Sequence, residues 1–312
     1  MNSISVLGAS ALSRLKLFLA LSRTPHGLLD LAAPALGALL WLGGFPPLEV
    51  TALGLITAFA GYSAVYALND LVDYRVDKQI IQEKGSDDHS GDLDAVFVRH
   101  PIARGLISFR EGLWWSVFWA LLALIGAYQL NPVCALIFIF GFVLEAIYCL
   151  LLTVSHLRTL VSGVVKTSGG IAAAFAVDPN PSPLFLVTLF SWLFFWEIGG
   201  QNVPNDCTDL EENRQLQAKT VPARYGSRGT GVIILCSLAI SVVLSAVLFS
   251  IAPLKLSLPF LGASLLVGFY LLLLPALRFY RTRTQAEASV LFNKASYYPL
   301  ALLVIVLFRL IT

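Results

Sequence analysis

Charge is what this sequence has least of. Asp, Glu, Lys and Arg make up 13% of its 312 residues, where a soluble globular domain carries roughly 25%. So little charge cannot cover a water-facing surface, which excludes an ordinary soluble domain. No sign dominates either, since the formal net charge is only +2. That balance says little about partners; no nucleic-acid partner is expected. Cysteine is sparse and unpatterned. Cys134, Cys149, Cys207 and Cys236 form no Cys-x-x-Cys pair, which argues against a metal or dithiol motif. They read as small apolar filler. The first 16 residues lack a continuous apolar run, and Arg14 and Lys16 precede a full-length span, so no cleavable leader is expected.

Apolar residues are abundant instead, at 57% of the chain with a mean hydropathy of +0.77. They fall into segments of about 20, the length that crosses a bilayer. Nine spans are expected, at about 17–42, 48–73, 112–130, 132–152, 158–178, 183–203, 229–251, 257–279 and 290–311. They fill the chain as one all-α membrane domain, residues 1–312. Two linkers are long and polar, about 74–111 and 204–228. With the N-terminus placed in the cytoplasm, 17 of the 21 Lys and Arg residues fall on inside segments or adjoining span ends. Only Lys255 and Arg309 fall outside, while Arg23 and Lys166 lie within spans. That bias is a strong positive-inside signal.

Two acidic clusters stand where apolar segments run out. The first is Asn69, Asp70 and Asp73, followed by Asp77; the second is Asn205, Asp206 and Asp209, followed by Glu212. Both spans run from outside to inside, so both clusters are expected at cytoplasmic helix ends. On a regular helix Asn69, Asp73 and Asp77 share a face, with Asp70 beside it. Asn202, Asp206 and Asp209 form a second stripe, overlapped by Asn205, Asp209 and Glu212. Like charges this close repel, and a helix C-terminus adds to the repulsion. A bound cation relieves both. Ligands that are all oxygen favour Mg2+, which commonly binds through a few carboxylates plus substrate phosphates. A diphosphate held in that way is a good leaving group, because the metal neutralises the charge that develops.

These residues resemble a known family. NDLVDYRVD (69–77) looks like the NDxxDxxxD motif of the UbiA superfamily of intramembrane prenyltransferases. NDCTDLEENRQLQAKTVPARYG (205–226) looks like its second acidic motif with the trailing Lys-Thr-x-Pro, and HPIARGLIS (100–108) looks like its RPLxSGxIS segment. The resemblance implies nine helices around a central polar chamber open to the cytoplasm. It implies transfer of a prenyl group from a prenyl diphosphate to an acceptor, most often an aromatic ring. Asn69, Asp73, Asp206 and Asp209 would then hold Mg2+, with Asp70, Asp77, Asn202 and Asn205 as further ligands. Tyr148 would stand near the reacting allylic carbon, and Lys219 and Arg23 would contact the diphosphate. The chain departs from the family pattern in places. His100 stands where Arg is commoner, with Arg99 or Arg104 as substitutes for its charge. Glu212-Asn213 replaces Gly-Asp. The segment Lys78 to Arg99 is long, carries Asp87, Asp88, Asp92 and Asp94, and reads either as a lid or as a solvated loop.

Lys166, Glu145 and Glu197 lie inside apolar spans, where charge is costly unless paired or facing a cavity. Lys166 therefore either pairs with a glutamate or touches substrate. His26 and Asp30, four apart, can meet as a proton-handling pair or as a satisfied hydrogen bond. Trp192, Phe194, Phe195 and Trp196 are expected against lipid or neighbouring helices. Phosphoribosyl transfer to a polyprenyl phosphate and prenyl diphosphate cyclisation are the alternatives within the family. An ion-coupled transporter is the rival from another class, disfavoured because the acids gather at one surface and the repeated motif has parallel topology.

Overall fold

The computed structural model of the protein describes residues 13–84 and 98–312. Asp87, Asp88, Asp92 and Asp94, and with them the choice between lid and loop, lie outside the described residues. Among the described residues nine helices are long and apolar enough to cross a membrane. They are α1 (Thr24–Leu42), α2 (Leu48–Gln79), α3 (Phe109–Leu130), α4 (Pro132–Leu150), α5 (Arg158–Val177), α6 (Pro183–Thr208), α7 (Val221–Ile251), α8 (Leu258–Thr282) and α9 (Gln285–Ile311).

All nine expected spans are present, and the differences lie at their ends. The helix of α2 does not stop where its apolar residues stop. It continues to Lys84, 37 residues in all, or roughly 55 Å of helix. The first acidic cluster thus sits inside a helix rather than at its C-terminus. Main-chain hydrogen bonds do not require apolar side chains, so composition marks the membrane boundary and not the helix boundary. The first expected span is broken instead of continuous. Residues 13–21 are helical, Arg23 takes a left-handed conformation (φ 43°, ψ 45°), and α1 begins at Thr24.

The second cluster also departs from a regular helix. Glu197–Asn202 forms a π-helical segment within α6. Regular helix resumes at Val203 and ends at Thr208, so Asp209 is a cap residue (φ −96°, ψ 25°). Glu212 belongs to a separate short helix, Leu210–Gln215. The expected stripes through Asn202, Asp206, Asp209 and Glu212 therefore do not lie on one regular helix.

The helices pack as successive hairpins, α2 on α3, α4 on α5 and α6 on α7, and α1 closes the ring against α5 and α9. Lipid tails are as apolar as leucine, so close packing rather than water exclusion holds such a bundle. At Gly37 a Cβ would stand 2.8 Å from the Gly170 carbonyl, so α1 and α5 approach at a distance only glycine allows. Trp192 and Trp196 turn inward, at 1% exposure each, and the Trp196 indole donates to the Ala295 carbonyl at 3.0 Å. The lipid-facing apolar residues are elsewhere, such as Trp114 and Phe118 on α3 and Leu136 and Phe140 on α4.

Candidate active site

A cavity of about 480 Å³ runs between α1, α2, α3, α4, α5, α6 and α9. One end is polar, lined by Arg23, Asn69, Glu145, Tyr148, Asn202 and Asn205. The other end is apolar and reaches Phe45, Val50, Leu130 and Val177. From Asn69 back to Val50, α2 rises roughly 28 Å, close to the thickness of a bilayer core.

The polar end joins both acidic motifs through α4. Asn69 donates to Glu145 Oε1 at 3.0 Å and to Cys149 Sγ at 3.3 Å. Arg23 Nη2 donates to Asn69 Oδ1 at 3.4 Å, an approach that its left-handed backbone permits. One turn along α4 from Glu145, the Tyr148 hydroxyl accepts from Asn202 Nδ2 at 2.8 Å. The Arg158 guanidinium lies 4.1 Å from the centre of the Tyr148 ring and 3.7 Å from Asp206 Oδ1. Asp73 is half-buried and coupled electrostatically to Arg158 and Arg23.

The loop 98–108 supplies two more cations. Ile102 and Ile107 bury against Leu71 of α2, and Ser108 and Glu111 form a capping box that starts α3. That docking sets His100 Nδ1 3.2 Å from Asp70 Oδ1 and 2.8 Å from Asp77 Oδ2. Burial by itself lowers the imidazole pKa, but the charge of Asp77 and the hydrogen bonds that His100 donates to the Asp70 and Asp77 carboxylates raise it to about 10. His100 is therefore a cation at neutral pH. The same three side chains bring their ligand atoms within 4.8 Å of one another, close enough for a metal ion, and the imidazolium supplies the positive charge there. Arg99 Nη2 lies 3.6 Å from Asp209 Oδ2. The departure at His100 is thus a division of labour: Arg99 serves the second motif and His100 the first.

Among the described residues, several buried oxygens of the two motifs have no hydrogen-bond partner. They are Asp70 Oδ2, Asn202 Oδ1, Asn205 Oδ1 and Asp206 Oδ2. A buried acceptor without a donor costs about 1–3 kcal/mol, and a hard cation satisfies several at once. The set is all oxygen, carboxylate and amide, which fits Mg2+ better than a softer metal.

Not every expected residue joins this site. Lys219 is exposed; its backbone N–H bonds the Leu152 carbonyl at 2.7 Å, and its neighbour Thr220 caps α7 by accepting from Ala223 N at 3.4 Å. The Lys-Thr-x-Pro run here is a helix start, with Pro222 in the first turn. Arg104 is half-buried in the 98–108 loop and does not line the cavity. Lys166 lines the cavity and bonds Asp30 at 2.7 Å, a partner not foreseen from sequence. Cys149 does more than fill space, since Asn69 bonds its sulfur. Asn213, at the Glu212-Asn213 departure, donates to the Asp206 carbonyl at 3.2 Å and holds the turn. Arg158 was missed altogether. In sequence it is one more basic residue at an inside span end, and no spacing links it to Tyr148 or Asp206.

The comparisons with known proteins agree with this architecture. The model of the UbiA prenyltransferase family matches residues 31–300. The 4-hydroxybenzoate octaprenyltransferase of Shewanella woodyi is 26% identical over 233 residues, covering 74% of this chain and 76% of the relative. The digeranylgeranylglyceryl phosphate synthase of Thermococcus kodakarensis is 24% identical over 214 residues, covering 68% and 70%. A UbiA homologue from Archaeoglobus fulgidus, solved bound to GPP and Mg2+, matches with a TM-score of 0.66 at 17% identity over 95% of this chain and 100% of that one. The chain belongs to the UbiA prenyltransferase family and is a multi-pass membrane enzyme.

Proposed function

We propose that this protein transfers the prenyl group of a prenyl diphosphate to an aromatic acceptor, with Mg2+ as cofactor and the polar chamber facing the cytoplasm. The observation that carries the proposal is that Asn69 of the first motif and Asn202 and Asn205 of the second meet at the polar end of a long apolar cavity, where Asn202 Oδ1 and Asn205 Oδ1 are buried and partnerless among the described residues. GPP and Mg2+ in the Archaeoglobus structure and the name of the Shewanella relative support it. The name of the Thermococcus relative makes a glycerophosphate acceptor the second reading. Membership of a prenyltransferase family displaces the transporter.

The apolar arm takes the isoprenoid tail. Asn69, Asp73, Asn202, Asn205, Asp206 and Asp209 hold the diphosphate through Mg2+, and Arg23 and Arg158 add positive charge beside it. Bound Mg2+ offsets the negative charge that grows on the departing diphosphate. The C–O bond breaks to give an allylic cation, the acceptor carbon attacks it, and loss of the ring proton completes the substitution. Dry walls keep water from the cation.

The test uses purified protein with Mg2+ and radiolabelled geranyl, farnesyl or geranylgeranyl diphosphate. Hydroxybenzoate, dihydroxynaphthoate, homogentisate and a glycerol phosphate serve as acceptors. Metal-dependent diphosphate release that is abolished in Asp73→Ala and Asp209→Ala is the expected result. No release with any donor, or release unchanged in both variants, rejects the two-motif mechanism.

A further inference from the structure

One helical turn deeper than the motifs lies a polar cluster that holding the donor does not require. Asp30 of α1 is 3% exposed and sits behind the cavity wall. Tyr66 of α2 donates its hydroxyl to Asp30 Oδ2 at 2.5 Å. Lys166 of α5 reaches Oδ2 at 2.8 Å and Oδ1 at 2.7 Å, and His26 Nε2 stands 3.8 Å from Oδ1. Tyr66, Lys166 and His26 line the cavity, whereas Asp30 does not. Tyr66 precedes Asn69 by three residues, so its side chain falls within about one turn of the first motif.

The bonding pattern has a direction. The only hydroxyl hydrogen of Tyr66 points at Asp30, so toward a group in the cavity its oxygen acts as an acceptor. Lys166 contacts both oxygens of the Asp30 carboxylate and so fixes it where the Tyr66 hydroxyl can pass its hydrogen across. A carboxylate has about four lone-pair sites, and Tyr66 and Lys166 fill three of Asp30's. The cluster is built from three membrane helices, α1, α2 and α5, and an ionic group there is costly unless it acts or is paired.

We infer that Tyr66 and Asp30 form a proton relay for the acceptor, and that the subsite they make with Lys166 and His26 takes an acceptor bearing a hydroxyl group. The inference rests on the prenyl-transfer reading above and specifies its acceptor side. The acceptor hydroxyl gives its proton to Tyr66 Oη as the Tyr66 hydrogen passes to Asp30 Oδ2. For an alcohol, the new O–C bond forms at the allylic carbon. For a phenol, a ring C–C bond forms and the ring hydrogen then returns to the oxygen. In either case the diphosphate leaves with the C–O electron pair, and one proton leaves through Asp30. Tyr66 is the catalytic residue in this step and Asp30 a positioning residue that acts through it.

The test compares wild type with Tyr66→Phe and Asp30→Asn, using farnesyl diphosphate, Mg2+ and the same four acceptors. Three quantities are read: the donor KM, diphosphate release without acceptor, and the division of label between prenylated acceptor and farnesol. Transfer is expected to fall about 100-fold, the usual scale for general base catalysis, with label moving to farnesol and the donor KM unchanged. Tyr66→Phe keeps the ring and decides the matter even if Asp30→Asn fails to fold. Unchanged transfer in Tyr66→Phe overturns the relay, as does a parallel loss of release and transfer. A wild type that releases diphosphate but prenylates none of the hydroxylated acceptors overturns this inference alone. A wild type that releases none overturns the donor reading instead.

Discussion

His100 shows how one side chain rewrites the electrostatics of a motif. Its left-handed backbone (φ 52°) turns the imidazole between Asp70 and Asp77. Asparagine tolerates that backbone, so His100→Asn removes the cation with little backbone strain. The variant is expected to lose on the order of 1–3 kcal/mol, the cost of stranding buried polar partners, read as a lower Tm in detergent. Arg158 makes a second case. It is the cation that touches both Tyr148 and Asp206. Arg158→Met is expected to lower kcat by about 100-fold or more, the scale of removing one fixed charge from a developing anion. Arg158→Lys is expected to recover part of that loss, because it keeps the charge but not the planar stack on Tyr148. Neither role was legible in the sequence, where both residues are basic side chains in loops or at span ends. Their partners lie 10 to 48 residues away along the chain, and only folding joins them.

At the scale of the element, the π-helical segment of α6 matters most. π-bulges commonly mark functional sites, because the extra residue re-aims everything beyond it. Here it sets Asn202 toward Tyr148 and delivers Asn202 and Asn205 to the cavity. Gly199 and Gly200 accommodate it, since a Cβ at either would stand 2.9 Å from side chains of α7 or α9. Deleting Gly199 is expected to restore a regular helix and rotate the second motif by about 100°. Diphosphate release should vanish while the helical circular dichroism persists; retained release would mean that the bulge does not aim the motif. The two motifs were legible as residue types at helical spacing. The bulge was not, because tertiary packing rather than local propensity selects it.

The whole molecule couples a charged chamber to an apolar arm that runs nearly the depth of the bilayer. Gly54 lines that arm, and a Cβ there meets nothing within 4 Å. Gly54→Phe is therefore expected to leave the fold intact and block the arm. Competition between geranyl and geranylgeranyl diphosphate should shift toward the shorter donor by about tenfold, the effect of roughly 1.4 kcal/mol. The orientation can be read in sealed vesicles. Phe45→Cys lies in the exposed turn between α1 and α2, and Glu211→Cys is exposed beyond α6. A membrane-impermeant thiol reagent is expected to reach the first from outside and the second only after lysis; the reverse pattern would invert the topology.

The amino-acid sequence by itself determined that this is a membrane bundle of nine spans, because transfer of a segment into lipid depends on its length and composition and on little else. It also carried the proposal for the site, since two clusters of oxygen ligands are what a hard cation would need. Only the tertiary structure decided which cation serves which acid. It set Arg158 on Asp206, Arg99 on Asp209, His100 between Asp70 and Asp77, and Lys166 on Asp30. Charge pairing depends on distances of a few ångströms between elements far apart in the chain. Those distances are set by how helices pack, by the π segment of α6 and by glycines such as Gly37, and no local pattern records them.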